Sequence, residues 1–334
     1  MILGGIIRML RYILKRIVYL VFIFFIISIM LFVINELTPG DPARVIAEAY
    51  RSSSAERYRQ AYLDAREKLG LDDPMFERYF KWMGNMLKGD FGYSIYYRKN
   101  VSDLIAEPME NTVQLNVYSV VLTLIITIPL GILCAVKRGG AVDQIVRVVT
   151  IIGYSIPQFI IGLVFIFLFA VKLGWFPISG FGTPNFVGNG WERYWDRMYY
   201  LILPLITMLF SQMGGTTKFV RSAMIDVLSQ DYIRTARAKG LKERVVIFSH
   251  AFRNALLPVI TIIIGWFLAL FSGSLIIENM FALNGMGKLF YTCLRNQDYQ
   301  PTMVLQMFYV LIGLVGNLIT DLSYMLVDPR VKLQ

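Results

Sequence analysis

Three cationic side chains, Arg234, Arg237 and Lys239, lie close together in the most basic stretch of the chain. Guanidinium and ammonium groups donate hydrogen bonds to carboxylates and carbonyl oxygens, which is the chemistry of recognition rather than of catalysis. Ala236 and Ala238 lie beside them and are small enough to let another surface approach closely. The pattern indicates a docking surface for a partner protein. An amphipathic connector on the lipid surface is an equally favoured alternative from composition alone.

The elements that must position these side chains are two short helices. Asp231 is a residue type that caps helix amino termini, and Gly240 suits the left-handed conformation that ends a helix. The stretch between them is therefore predicted to be helical. A second helix is expected from about Lys242 to Leu257-Pro258, where a long apolar run starts, so that a push on the first helix reaches that run.

The composition predicts an integral membrane protein. Of 334 residues, 56% are hydrophobic and only 17% are charged, which is too apolar for a soluble domain of this size. Charged residues leave six gaps of roughly 20 residues, the length that an α-helix needs to cross a bilayer. We therefore predict an all-α fold with six transmembrane helices. Three prolines within these runs, Pro129, Pro157 and Pro204, are expected to kink their helices. The uncharged runs are 17–35, 112–136, 148–171, 198–217, 254–277 and 299–320.

The distribution of lysine and arginine predicts the orientation. Basic residues are concentrated before the first run, after the second and above all between the fourth and fifth, and such loops stay cytoplasmic. Both termini are therefore expected in the cytoplasm. The predicted organisation is 1–37 as the amino terminus and first span, 38–111 as an extracytoplasmic helical subdomain, and 112–334 as the core with a cytoplasmic coupling segment at 226–253.

Two helices are predicted inside the subdomain at 38–111. Ser54 is a good cap for an amphipathic helix that ends near Leu69, and residues 75–87 carry several large apolar side chains. The subdomain is either a docking platform for an extracytoplasmic protein or a lid that packs on the spans.

Groups suited to catalysis or ion coupling are scarce. The only histidine is His250, no Gly-x-x-x-x-Gly-Lys-Ser/Thr phosphate loop occurs, and the six runs hold no charged side chain. We expect no cofactor, no metal site and no catalysis in this chain. Self-powered transport is disfavoured, because ion-coupled carriers place ionisable groups near the membrane centre. The net charge of +10 belongs to loops beside lipid, so nucleic acid is not an expected partner.

Residues 231–241 and 250–258 resemble the coupling segment of dipeptide and oligopeptide ABC importer permeases. The chain departs from the general importer pattern at Arg234-Thr235-Ala236, where Glu-Ala-Ala is usual, and from similar permeases at Asn284, where proline is usual. The likeness covers nearly the whole chain. Its other motifs are Pro39-Gly40-Asp41-Pro42, Leu69-Gly70-Leu71-Asp72-Asp73-Pro74, Gly89-Asp90-Phe91-Gly92, Gly153-Tyr154-Ser155-Ile156-Pro157, 281–287 and Asp328-Pro329-Arg330.

This resemblance implies a type I ABC importer permease fold in a prokaryotic cytoplasmic membrane. It implies half of a translocation pathway for di- and oligopeptides, completed by a paralogous permease, two ATP-binding subunits that hold ATP and Mg, and an extracytoplasmic substrate-binding protein. Nickel chelates, glutathione or oligosaccharides are alternative cargoes, and a self-contained channel or secondary carrier is the alternative of another class. The residues expected to couple to an ATPase are Asp231, Tyr232, Arg234, Thr235, Ala236, Arg237, Ala238, Lys239, Gly240 and Leu241.

Overall fold

The long elements of the protein are helices, as predicted. The computed structural model describes residues 2–38, 40–52, 54–256, 265–266 and 269–327. Two short strands, β1 (Tyr93–Ser94) and β2 (Lys99–Asn100), pair antiparallel. Seven-residue π-helical segments follow α7 and α10, at Ile166–Lys172 and Val246–Phe252. The helices are α1 (Ile2–Leu37), α2 (Pro42–Ala47), α3 (Ala55–Lys68), α4 (Met75–Leu87), α5 (Val101–Val136), α6 (Ala141–Ser155), α7 (Gln158–Phe165), α8 (Gly190–Leu228), α9 (Asp231–Ala238), α10 (Glu243–Val245), α11 (Leu275–Met280), α12 (Met286–Arg295) and α13 (Tyr299–Val327).

Within the described residues, four helices are long and apolar enough to cross a membrane, and a bent pair makes a fifth span if it counts as one. These four, α1, α5, α8 and α13, contain the first, second, fourth and sixth predicted runs. Residues 257–264 and 267–268 of the predicted run 254–277 lie outside the described residues. The count of six spans therefore stays a prediction.

The third predicted run is not one continuous helix. α6 ends at Ser155, and α7 begins directly after Pro157. The helix axis bends by 105° between the two halves. Ile156 has extended backbone, with φ −89° and ψ 128°, because a residue that precedes proline is disfavoured in the helical region. The sequence predicted a helix that Pro157 kinks, whereas the structure has a complete break.

By compactness the described chain divides into two units, and the first comprises residues 2–110 and 286–318. One of its cores lies around Phe32, Tyr79 and Met307, and the Tyr79 hydroxyl is 2.8 Å from Ser28 Oγ. The predicted cap is confirmed, since Ser54 Oγ accepts from the Arg57 N–H at 3.1 Å. The helix predicted at 75–87 is also confirmed as α4.

The second unit comprises residues 111–285 and 319–327 of the described chain. α6 packs closely on α8 in this unit through two glycines. A Cβ atom at Gly214 would lie 2.5 Å from the Thr150 carbonyl oxygen, and one at Gly153 would lie 2.5 Å from that of Phe210. Small residues at such crossings let helix backbones approach each other in a membrane.

Residues 270–274 of the second unit are not helical, which corrects the predicted continuous helix up to residue 277. The buried Asn116 amide donates to the carbonyl oxygens of Leu270 at 2.9 Å and Ser272 at 3.1 Å. The Ser274 N–H donates to the carboxylate of Glu278, whose residue is 1% exposed. Side chains thus replace the helical bonds that this backbone lacks, as buried polar groups require.

Candidate functional site

The predicted docking stretch forms α9, which ends as the sequence predicts. Gly240 has φ +75°, the left-handed conformation that glycine adopts without strain. The Gly240 N–H donates to the Arg237 carbonyl at 2.9 Å, and the Leu241 N–H donates to the Ala236 carbonyl at 3.4 Å. These two bonds form a Schellman motif and satisfy carbonyls that the helix end would leave open.

The start of α9 corrects the sequence prediction by one residue. Gln230 occupies the N-cap position in extended backbone, and no side chain caps the helix there. Asp231 is instead the first helical residue, so the predicted Asp231 cap was wrong. Its carboxylate lies in the first turn, where the helix dipole favours negative charge, and is 3.5 Å from Arg234 Nη1.

One face of α9 is buried in the core of the second unit. Ile233 is fully buried and Ala236 is 6% exposed, and their spacing of three residues puts them on the same side of the helix. Ala236 therefore packs in this core and not on the exposed surface of α9, and its coupling role stays a prediction. Both side chains belong to a cluster with Ile132 and Ala135 of α5, Val220 and Met224 of α8, Val246 and Ala251 of the second π-helical segment, and Ala255.

The opposite face of α9 is exposed. Nine of the ten residues predicted to couple to a partner are exposed, and only Ala236 is not. The exposed nine are Asp231, Tyr232, Arg234, Thr235, Arg237, Ala238, Lys239, Gly240 and Leu241. This set is the exposed face of α9.

Arg237 joins α9 to the start of α10. Its Nη2 and Nε atoms donate to the two carboxylate oxygens of Glu243, at 2.7 and 3.2 Å. These hydrogen bonds lower the pKa of Glu243 and raise that of Arg237. The predicted role of Arg237 as a donor to a partner is therefore combined with a contact inside the chain.

The buried cluster connects α9 to membrane-spanning helices. Val246 and Ala251 are fully buried, and with them the second π-helical segment packs against α9. The sequence predicted a route from this loop to Leu257-Pro258, which lies outside the described residues. The observed core adds a direct contact with the ends of α5 and α8.

A buried ion pair between α6 and α8 was missed by the sequence analysis. The fully buried Asp143 carboxylate accepts from Arg221 Nε at 2.7 Å and Nη2 at 2.9 Å. It also accepts from the Gly139 N–H at 2.9 Å and from Arg147 Nη2 at 3.2 Å. The helical spacing of Asp143 and Arg147 was visible in the sequence, but the contact with Arg221 joins residues 78 positions apart.

Cys134 and Cys293 are both buried, and neither is in a disulfide. Burial raises the pKa of the Cys293 thiol to about 12, so the reactive thiolate is rare at neutral pH. In the part of the chain that the structure describes, no group of three His, Cys, Asp or Glu side chains could hold a metal ion.

The long apolar helices define a multi-pass membrane protein. Residues 127–333 match the family described as "Binding-protein-dependent transport system inner membrane component", and residues 9–116 match the description of its amino-terminal part. The chain belongs to this family of binding-protein-dependent transport permeases, which are transport components rather than enzymes.

Similar proteins cover almost the full chain. The oligopeptide transport system permease protein AppB of Bacillus subtilis is 41% identical over 97% of this chain and all of its own length. A probable peptide ABC transporter permease protein, y4tP of Sinorhizobium fredii, is 34% identical over 96% of this chain and 99% of its own. The glutathione transport system permease protein GsiC of Escherichia coli is 33% identical over 97% of this chain and 99% of its own.

A solved structure supports the fold. A chain of the MetNI methionine ABC transporter, in an inward-facing conformation, has a TM-score of 0.50 and 17% sequence identity to this protein. The match covers 66% of this chain and 97% of that chain. At this identity the likeness concerns the fold alone, which is the predicted fold of ABC transporter permeases.

Proposed function

We propose that this chain forms half of the translocation pathway of an ATP-driven importer for di- and oligopeptides. The observation that carries the proposal is the exposed face of α9, because the other face of the same helix is fixed to α5 and α8 by a buried core. A displacement of α9 by a partner is therefore transmitted to the spans. The full-length similarity to permeases of peptide transport systems supports peptides as cargo.

The proposed assembly contains a paralogous permease, two ATP-binding subunits and an extracytoplasmic binding protein. ATP and Mg belong to the ATP-binding subunits. Closure of these subunits on nucleotide shifts the helices of the permease between two states, as a rigid-body switch. The proposed topology has six spans in a prokaryotic cytoplasmic membrane, cytoplasmic termini, an outer subdomain at 38–111, a core at 112–334 and a coupling segment at 226–253.

Substitution of a small residue on the exposed face of α9 by a large one tests the coupling role. Ala238 is exposed, so Ala238→Trp leaves the buried cluster intact while it obstructs a docking groove. We expect the tagged variant to insert normally and to retain the second permease, but to lose most of the copurifying ATP-binding subunits and peptide uptake.

The matched control for this test is Ala55→Trp, which places the same side chain at an exposed alanine of α3. It should leave copurification of the ATP-binding subunits unchanged. Full uptake and unchanged copurification in Ala238→Trp contradict the coupling role. Uptake by the purified chain alone in liposomes favours the carrier alternative.

Glutathione is the second candidate cargo, because GsiC covers the same length at 33% identity. Competition uptake with a labelled pentapeptide and labelled glutathione separates the two. We expect an excess of unlabelled pentapeptide to abolish pentapeptide uptake, and an equal excess of glutathione to leave most of it.

A further inference from the structure

A charged cavity of about 510 Å³ lies between α6 and α8 in the second unit, and no residue of the exposed face of α9 lines it. Its lining contains the cations Arg147, Lys218 and Arg221 and the single carboxylate of Asp143, which leaves a net charge of +2. A basic pocket between transmembrane helices is suited to the phosphate of a lipid headgroup.

The carboxylate in this cavity is already occupied. Its two oxygens accept from two nitrogens of Arg221, from Arg147 and from the backbone N–H of Gly139. Four donors, two of them from the guanidinium of Arg221, therefore compensate the charge of Asp143 within the protein. The positive charge that remains in the lining therefore favours an anion.

Two groups in the lining lack protein partners. Lys218 is exposed, and no carboxylate of the described residues lies within ion-pair distance of it. The Thr217 hydroxyl is buried, its residue is 2% exposed, and within the described chain it has no hydrogen-bond partner. A buried hydroxyl without a partner is costly, so a bound acceptor in the cavity would stabilise it.

The cavity adjoins a face suited to acyl chains. Ile151 and Tyr154 line it and are 57% and 77% exposed, and the neighbouring Val148 is 57% exposed. These apolar side chains belong to α6, half of the bent span, where hydrocarbon is the expected solvent. We propose that the cavity binds an anionic phospholipid, with its phosphate at Lys218, Arg147 and Thr217 and its acyl chains along Ile151 and Tyr154.

Native mass spectrometry of the full chain in mild detergent tests this site. The probes are dioleoyl phosphatidylglycerol and dioleoyl phosphatidylcholine, which differ only in the headgroup. We expect phosphatidylglycerol to bind at least fivefold more tightly. Lys218→Gln should remove about fivefold of that preference, the effect of one cation near a charged surface, while Lys218→Arg retains it.

Two matched variants serve as controls. Lys242→Gln removes an exposed cation outside the cavity and should change nothing. Thr217→Val should weaken phosphatidylglycerol binding about fivefold, whereas Thr216→Val should not, because the Thr216 hydroxyl bonds to the Gln212 carbonyl at 3.3 Å. Three results would overturn the proposal. They are equal binding of both lipids, equal effects of Lys218→Gln and Lys242→Gln, and full displacement of the lipid by free glycerol phosphate.

Discussion

Gly240 terminates α9 through its left-handed backbone. A Cβ atom there would have nothing within 4 Å, so Gly240→Ala tests backbone strain without a clash. At φ +75° the alanine should destabilise the loop by about 1 kcal/mol and speed hydrogen exchange of the Leu241 amide about fivefold. Gly84→Ala in α4, which is equally open but has no positive φ, should not speed exchange in α4. Equal loss in both variants would contradict the strain argument.

Arg237 has both an internal and a proposed external role, and a charge swap separates them. Arg237→Glu should loosen the loop by roughly 0.2–1 kcal/mol, because the pair with Glu243 is largely exposed to solvent. The double variant Arg237→Glu with Glu243→Arg restores the pair. We predict that the single and the double variant both lose uptake, whereas only the double variant regains the loop protection measured by hydrogen exchange. Restored uptake would mean that Arg237 acts only inside the chain.

The same pair has a defined pH dependence. Because the pKa of Glu243 is lowered in the folded chain, its stabilisation is complete above the ordinary carboxyl pKa of about 4.3 and is lost as the pH falls through the lowered value. Loop protection in the wild type should therefore stay constant around neutral pH. A loss of protection between neutral pH and about pH 5 would point to another group.

At the residue scale, the sequence predicted the glycine stop but not the cap or the buried face of α9. Gly240 is predictable because only glycine adopts its backbone without strain. The Asp231 cap failed because the helix begins at Asp231 itself, one residue earlier than a capping aspartate requires. The burial of Ala236 was not predicted because an eight-residue helix has too few apolar positions to define a face by periodicity.

At the scale of elements, Gly214 and Gly215 of α8 are neighbours in sequence, but only Gly214 packs closely against α6. Gly214→Ala should clash with the Thr150 carbonyl and destabilise the fold by about 1–3 kcal/mol, whereas a Cβ at Gly215 has nothing within 4 Å. The comparison is made by thermal unfolding in detergent. A lower midpoint is expected for Gly214→Ala and little change for Gly215→Ala. Equal midpoints would show that α6 and α8 do not pack through Gly214.

The long helices were predictable because an apolar run leaves lipid as the only suitable environment, and a spanning helix satisfies its own backbone. Their ends were not, since α8 begins in polar sequence at a capping box made by Asn189 and Glu192. The break at Pro157 was seen only as a kink. Whether proline bends or breaks a helix depends on the packing around it, which one sequence does not reveal.

At the scale of the whole molecule, the proposed topology is tested by labelling. Both native cysteines are buried, so single introduced cysteines report with little background. Lys99→Cys in β2 should react with a membrane-impermeant maleimide in intact cells. Ala238→Cys should react only after the membrane is permeabilised. Labelling of Ala238→Cys in intact cells would reverse the proposed orientation and remove α9 from the reach of an ATPase.

During synthesis of the chain, Asp143 is made before its ion-pair partner Arg221. The two residues are 78 positions apart, so at roughly 5–20 residues per second the ribosome makes the guanidinium about 4–16 s after the carboxylate. Until Arg221 is made, the Asp143 carboxylate has only the half-exposed Arg147 and the Gly139 N–H as partners, so the aqueous boundary is the favourable place for the first turn of α6. A nascent chain that stalls before Arg221 therefore lacks the two hydrogen bonds that this guanidinium donates to Asp143, which distinguishes it from a finished copy.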